Sequence, residues 1–269
     1  MSIHTPREGL PDEAPLASAS ASTARVSGKS ALARSSALIL GVGGLGCPAA
    51  LALAASGVGR VGLADHDAVT LDNLARQILH RTEDVGRLKV DSGADSIFRL
   101  SAEAAVDKIP QKLTRENVAR IIAPYDVIVD GSDNLATKLA LNEACAKAGR
   151  PWVMGGVLRF FGQMMTILPG KSACLRCLVG EEGANARGLD CGDAGVIGAV
   201  AGFVGMAQAA DALRVLEGLE PAWSNRLMTA DLRKNAAGSV AVAQDPDCPA
   251  CALAGSGQTK FPMGRGALV

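Results

Sequence analysis

From residue 37 onwards the chain alternates short apolar runs with stretches of helical periodicity, the rhythm of a parallel sheet covered on both faces. The runs predict strands over 37–41 ("ALILG"), 60–65 ("RVGLAD") and 125–130 ("YDVIVD"), and another near 105–112. Helices are predicted over 45–56, 89–97, 117–123 and 134–148, with Asn134 or Asp133 able to cap the last. The stretch between 65 and 89 is loop-rich. After residue 150 the rhythm changes: two successive strands, 152–157 and 162–168, meet near "RFFG", and a polar, glycine-rich stretch covers 180–192. A long apolar helix follows over 196–218, then strands near 226–232 and 239–243. The pattern predicts an α/β fold, a Rossmann-like parallel sheet with helices on both faces, extended by antiparallel strands in its second half. Residues 1–35, rich in Ala, Ser and Pro without apolar periodicity, are expected to be disordered or arm-like, 36–252 to form the folded domain, and 253–269 a flexible tail.

Composition narrows the partners. The 269 residues are 48% hydrophobic, sufficient for a sizeable core, and carry 27 basic against 27 acidic side chains. A net charge of zero and 3% aromatic residues give neither a basic stripe nor stacking platforms for nucleic acid. The longest apolar run, 196–210, is interrupted by Gln208, stopped by Asp211 and short for a membrane span, and no secretory apolar core opens the chain. A cytoplasmic protein is the expectation. Seven cysteines in such a chain then point to metal binding or catalysis rather than to a disulfide framework.

The first chemical signal is Gly41-x-Gly43-Gly44-x-Gly46, set where a strand hands over to a helix and backbone amides favour a phosphate. Gly41 and Gly43 let the chain turn and a phosphate approach, while Gly46 lets the helix pack on the sheet. Asp65 ends the next strand, where a carboxylate can accept both ribose hydroxyls. So far NAD and ATP fit equally. Downstream, Asn73, Arg76 and Gln77 follow the acidic pair Asp65 and Asp67, and Lys89 follows in "GRLKV". Arg with Lys supplies the concentrated positive charge that a triphosphate needs. "DVIVDGSDN" places Asp130 and Asp133 at the carboxyl end of a parallel strand, where a carboxylate can hold Mg²⁺ against phosphates. Together these favour ATP.

Cys174-Leu-Arg-Cys177 and Cys248-Pro-Ala-Cys251 are two C-x-x-C pairs that can complete a closed Cys₄ zinc knuckle, clipping the C-terminal segment to the middle of the chain. Cys47, at a helix start, is either a thiol activated by the helix dipole or a small packing residue, and Cys145 reads as core. Cys191, in "GLDCGDAGV", is either an activated thiolate or an inert loop cysteine.

"GVGGLG", "DHDAVTLDNLARQ", "GRLKV", "DGSDN", the two cysteine pairs and "DCGDAGV" together resemble the motifs of the MoeB/ThiF family, bacterial relatives of ubiquitin-activating enzymes, over roughly residues 36 to 252. The resemblance implies a Mg-ATP-dependent adenylyltransferase that activates the C-terminal glycine of a small ubiquitin-like sulfur carrier ending in Gly-Gly. It implies that Gly41, Gly43, Gly44 and Gly46 cradle the phosphates, Asp65 holds the ribose, Asn73, Arg76 and Lys89 face the triphosphate, and Asp133 takes Mg²⁺. Asp67, Gln77 and Asn134 complete the expected nucleotide site. Cys174, Cys177, Cys248 and Cys251 match the family zinc site, and Cys191 its crossover-loop cysteine, which has a covalent role in some members. A homodimer is implied.

Two departures stand out. The family's "R-Y-x-R-Q" segment, whose arginine reaches the partner subunit's ATP, is replaced here by "DEAPLASASAS", leaving Arg25 or Lys29 as substitutes and Arg7 on the other flank. Nor is the sulfurtransferase domain that some relatives append expected here, so the sulfur donor is expected to be a separate protein. The changed segment also supports an alternative, a carrier-binding scaffold without activity. A tRNA-base dehydratase and an NAD-dependent oxidoreductase have less behind them.

Overall fold

The computed structural model describes residues 29–185 and 195–254. One eight-stranded sheet organises them, in the order β3-β2-β1-β4-β5-β6-β7-β8. β1 (Ser36–Leu40), β2 (Arg60–Ala64), β3 (Ala105–Ile109), β4 (Val127–Asp130) and the start of β5 (Trp152–Leu158) run parallel. β6 (Phe161–Ile167), β7 (Arg226–Asp231) and β8 (Ala236–Ala241) extend the sheet in antiparallel fashion. The sequence-derived architecture is therefore the observed one.

Every residue of β1 is buried, as expected of a strand covered on both faces. Its side chains alternate between two cores: Ala37 and Ile39 join Leu53, Val90, Val200 and Val204, whereas Leu38 and Leu40 join Ile121, Leu141 and Trp152. The first core lies under α2 (Gly46–Ala55), α3 (Lys89–Leu100) and α7 (Gly198–Leu216). The second lies under α4 (Val118–Ile122), α5 (Leu135–Ala148) and α6 (Leu175–Asn185), which Gly180 breaks at φ +68°. A four-residue α1 (Lys29–Leu32) precedes β1.

By length and composition α7 could cross a membrane, yet more than half of it is buried against the sheet and α2. Its two buried polar residues explain why it belongs in a protein core. Gln208 donates from Nε2 to the carbonyls of Asp130 (2.9 Å) and Val153 (3.0 Å), and Asp211 accepts from Thr166 (2.6 Å) and the amides of Ala222 and Trp223. Both are buried. A buried, bonded polar group ties a helix to one position, because breaking its bonds leaves unsatisfied atoms in the core.

The last strand differs from its predicted bounds. β8 begins at Ala236 rather than near 239, and all six of its residues are exposed, so no buried face imprints alternation on "AAGSVA". The loop between 65 and 89 contains short 3-10 turns at Leu71–Asn73 and Thr82–Asp84.

Candidate nucleotide cleft and cysteine cluster

β1 has β2 on one side and β4 on the other, so the chain's crossovers diverge at its carboxyl end and leave a crevice there. Gly41 opens the turn at φ +83°, and its amide donates to Ala64 O at 2.8 Å. Gly131, just past β4, donates to Leu40 O at 2.8 Å, and a Cβ on Gly41 would meet its carbonyl at 3.1 Å. The backbones here approach as closely as only glycine allows. Gly43, Gly44 and Leu45 line a cleft of about 540 Å³, and among the described residues their amides donate to no protein acceptor. Three open donors at the N-terminus of α2 are an arrangement able to receive an anion.

Gly46 does not line this cleft. A Cβ there would collide with the Gly41 carbonyl oxygen, so its work is the close packing of α2 on the turn. Gly46→Ala is expected to cost about 1–3 kcal/mol in urea denaturation, the range for forced overpacking. An unchanged midpoint would show that the turn can move aside.

Asp65, buried at 8% exposure, accepts from the Val42 amide (2.8 Å) and the Asp67 amide (2.9 Å), which sets its carboxylate at the rim of the turn. Lys89, the first residue of α3, points back to the same place: Nζ lies 2.8 Å from Asp67 and 3.9 Å from Asp65. Partial burial works against the charge on Asp67, but the Lys89 ammonium overrides it and holds that carboxyl below the ordinary range. Asn73, Arg76 and Gln77 border the cleft from the Leu71–Asn73 turn; Arg76 donates to Asp72 O at 3.2 Å and Gln77 is buried with no hydrogen-bond partner for its Oε1.

Across the crevice, the loop after β4 separates its two carboxylates. Asp130 is fully buried and engaged, with Lys138 Nζ at 2.8 Å and the Ser132 amide at 2.8 Å. Asp133 is exposed on the cleft wall, and among the described residues its one hydrogen-bond partner is Asn134 Nδ2 at 3.4 Å. Asp133 is thus the carboxylate open to a cation. Asn134 rather than Asp133 caps α5, accepting from the Thr137 amide at 2.8 Å. The cleft also takes in Lys138, Gln111 and Lys112, which sequence reasoning missed. Lys138 reads as a surface charge on a helix. Gln111 and Lys112 follow β3 in a segment without periodicity, and only the parallel pairing of β3 with β2 brings them to this edge.

The second constellation lies below the opposite face. Cys174 Sγ is 3.8 Å from Cys177 Sγ and 3.6 Å from Cys248 Sγ, and Cys177 Sγ is 3.5 Å from Cys251 Sγ. Four thiolates around a tetrahedral zinc at about 2.3 Å are separated by about 3.8 Å, so these residues fit such an ion. Asn142 Nδ2 and the Asp245 amide donate to Cys174 and Cys177 from outside the cluster, as partners of metal-bound sulfur do. Of the remaining cysteines, Cys47 is sealed beneath the turn, where burial pushes its thiol up to about 12, and Cys145 is likewise buried and its thiol raised. Both belong to the packed cores. Cys191, Arg7 and Arg25 lie outside the described residues, and Lys29 opens α1.

Comparison with known proteins decides the family: the sequence model of the ThiF family matches residues 17–250. The chain belongs to the ThiF family. It is 42% identical over 229 residues to the adenylyltransferase and sulfurtransferase MOCS3 of Sus scrofa, covering 84% of this chain and 50% of that protein. To the MOCS3 of Culex quinquefasciatus it is 37% identical over 227 residues, covering 84% and 52%. The chain spans about half the length of the curated relatives it matches. Among solved structures, E. coli MccB crystallised with ATP superposes with a TM-score of 0.73 at 22% identity, covering 83% of this chain and 68% of that one. A crystal structure of PaaA gives 0.68 at 21% identity, covering 80% and 66%. These two solved structures thus share the fold over 80% or more of the chain.

Proposed function

We propose that this ThiF-family protein is an ATP-dependent adenylyltransferase that activates the C-terminal glycine carboxylate of a small ubiquitin-like sulfur carrier ending in Gly-Gly. The observation that carries the reading is the composition of one cleft: open amides of the glycine turn, the cations Arg76 and Lys89, the ribose-competent Asp65 and the exposed Asp133 all border it. The MOCS3 relatives, named as adenylyltransferases and sulfurtransferases, support it.

A carboxylate is a poor acyl donor because its leaving group would be oxide. In the proposed reaction a carrier carboxylate oxygen attacks the α-phosphorus of ATP, the bond from that phosphorus to the bridging oxygen breaks, and pyrophosphate leaves with the electron pair. No proton moves, so no general base is required. The amides of Gly43, Gly44 and Leu45 would hold phosphate oxygens, while Arg76 and Lys89 would neutralise the charge that grows on pyrophosphate. Asp133 would hold Mg²⁺, which when bound would supply further neutralisation of the phosphates. The four cysteines would hold a structural zinc ion. Phe203 and Met206, large apolar side chains exposed on α7 at 44% and 46%, support association of two copies.

The test is exchange of labelled pyrophosphate into ATP with the purified chain, Mg²⁺ and a panel of Gly-Gly carriers. Exchange that requires one carrier and its terminal carboxylate is the expected result. Carrier binding without exchange would replace this reading with that of a scaffold, and would implicate the altered N-terminal segment.

A further inference from the structure

The chemistry proposed above gives His80 nothing to do, yet it is buried at 6% exposure directly beneath the glycine turn. Its Nε2 lies 3.1 Å from the Val42 carbonyl oxygen and its Nδ1 2.8 Å from Ser92 Oγ. A carbonyl only accepts, so in the neutral ring Nε2 carries the hydrogen and Nδ1 accepts from the Ser92 hydroxyl. Burial holds the imidazole below its ordinary range, in keeping with that neutral form.

The consequence follows from peptide geometry. The Val42 carbonyl and the Gly43 amide belong to one planar trans unit, so their oxygen and hydrogen point in opposite directions. With the oxygen drawn inward to His80, the Gly43 N–H is turned away from the core, and Gly43 lines the cleft. Val42 is fastened on its other side as well, since its own amide donates to Asp65 at 2.8 Å. Glycine at 43 makes rotation of this peptide cheap, and a rotated unit would present its oxygen, not its N–H, to a phosphate.

We propose that His80 is a positioning residue that locks the Val42–Gly43 peptide against reversal, so that the turn presents N–H groups to a phosphate before one binds. Ser92 holds the ring from α3, three residues beyond Lys89, so the turn and the helix bearing the phosphate-facing cation share one anchor. The identity of the ligand rests on the nucleotide reading above.

The experiment compares Mg-ATP and adenosine binding by calorimetry for the full chain and its variants, with thermal melting to establish that each is folded. His80→Phe is expected to weaken Mg-ATP binding roughly tenfold, the scale of one well-placed hydrogen bond, and to leave adenosine, which has no phosphate, unchanged. His80→Gln, whose amide N–H can reach the same carbonyl, recovers most of the loss. Ser92→Ala, milder in its effect on packing, shifts Mg-ATP binding in the same direction by less. Equal losses for both ligands, or no loss, would overturn the proposal. If the wild type binds neither ligand, the nucleotide reading fails instead, and the lock is read from the ligand-free protein by the Gly43 amide resonance. That resonance should be single in the wild type and broadened or doubled in His80→Phe; an unchanged line would overturn the lock itself.

Discussion

Lys89→Ala is expected to lower carrier-dependent pyrophosphate exchange by about 10²–10³-fold, the loss seen when one preorganised electrostatic partner of a transition state is removed. Two effects of the same substitution combine. The cleft loses a cation that is held at 7% exposure, where the local dielectric makes it more effective than a surface lysine. Asp65 and Asp67 also lose the ammonium that sits between them, so two carboxylates would face incoming phosphates without compensation. Lys89→Arg keeps the charge, but the guanidinium is larger and planar and is expected to recover only part of the rate. The measurement is the exchange rate at saturating carrier and varied ATP, alongside a melting curve. Exchange at the wild-type rate in a folded Lys89→Ala protein would mean that the triphosphate lies elsewhere.

The second large effect concerns the cysteine cluster. Purified protein is expected to carry one zinc per chain by elemental analysis, and Cys248→Ser to remove it and lower the melting temperature by roughly 10 °C. That shift corresponds to a few kcal/mol in a domain of this size, a modest share of what a closed thiolate site can supply. A chelator should reproduce the shift in the wild type and leave the variant unchanged. Metal-free wild type with the same melting temperature would reduce the cluster to four packed thiols.

Much of this was legible in the chain, and the reasons are specific. Fully buried parallel strands such as "SALIL" and "VIVD" are continuous apolar runs that few other structures use. The glycine turn and the cysteine pairs are short-range patterns whose spacing is itself the geometry. What escaped notice depends on long-range pairing. Gln208 and Asp211 look like interruptions of an apolar helix until the sheet edge that they bind is known. His80 is one of three histidines with no motif around it, and its partners lie 38 and 12 residues away. Asp130 and Asp133 are equivalent on paper as cation ligands, and what distinguishes them is the burial of the first, engaged by Lys138 and the Ser132 amide.

The cysteine cluster also has a consequence for the order in which the molecule is made. All of β1 to β6 precede Cys174 in the chain, and Cys248 and Cys251 follow β8. During synthesis the first six strands emerge before either cysteine of the first pair, and that pair waits through α7, β7 and β8 for its counterpart. The two pairs can therefore meet only after every strand of the sheet has been synthesised, so a metal held by all four thiolates would be captured late in assembly rather than at its start.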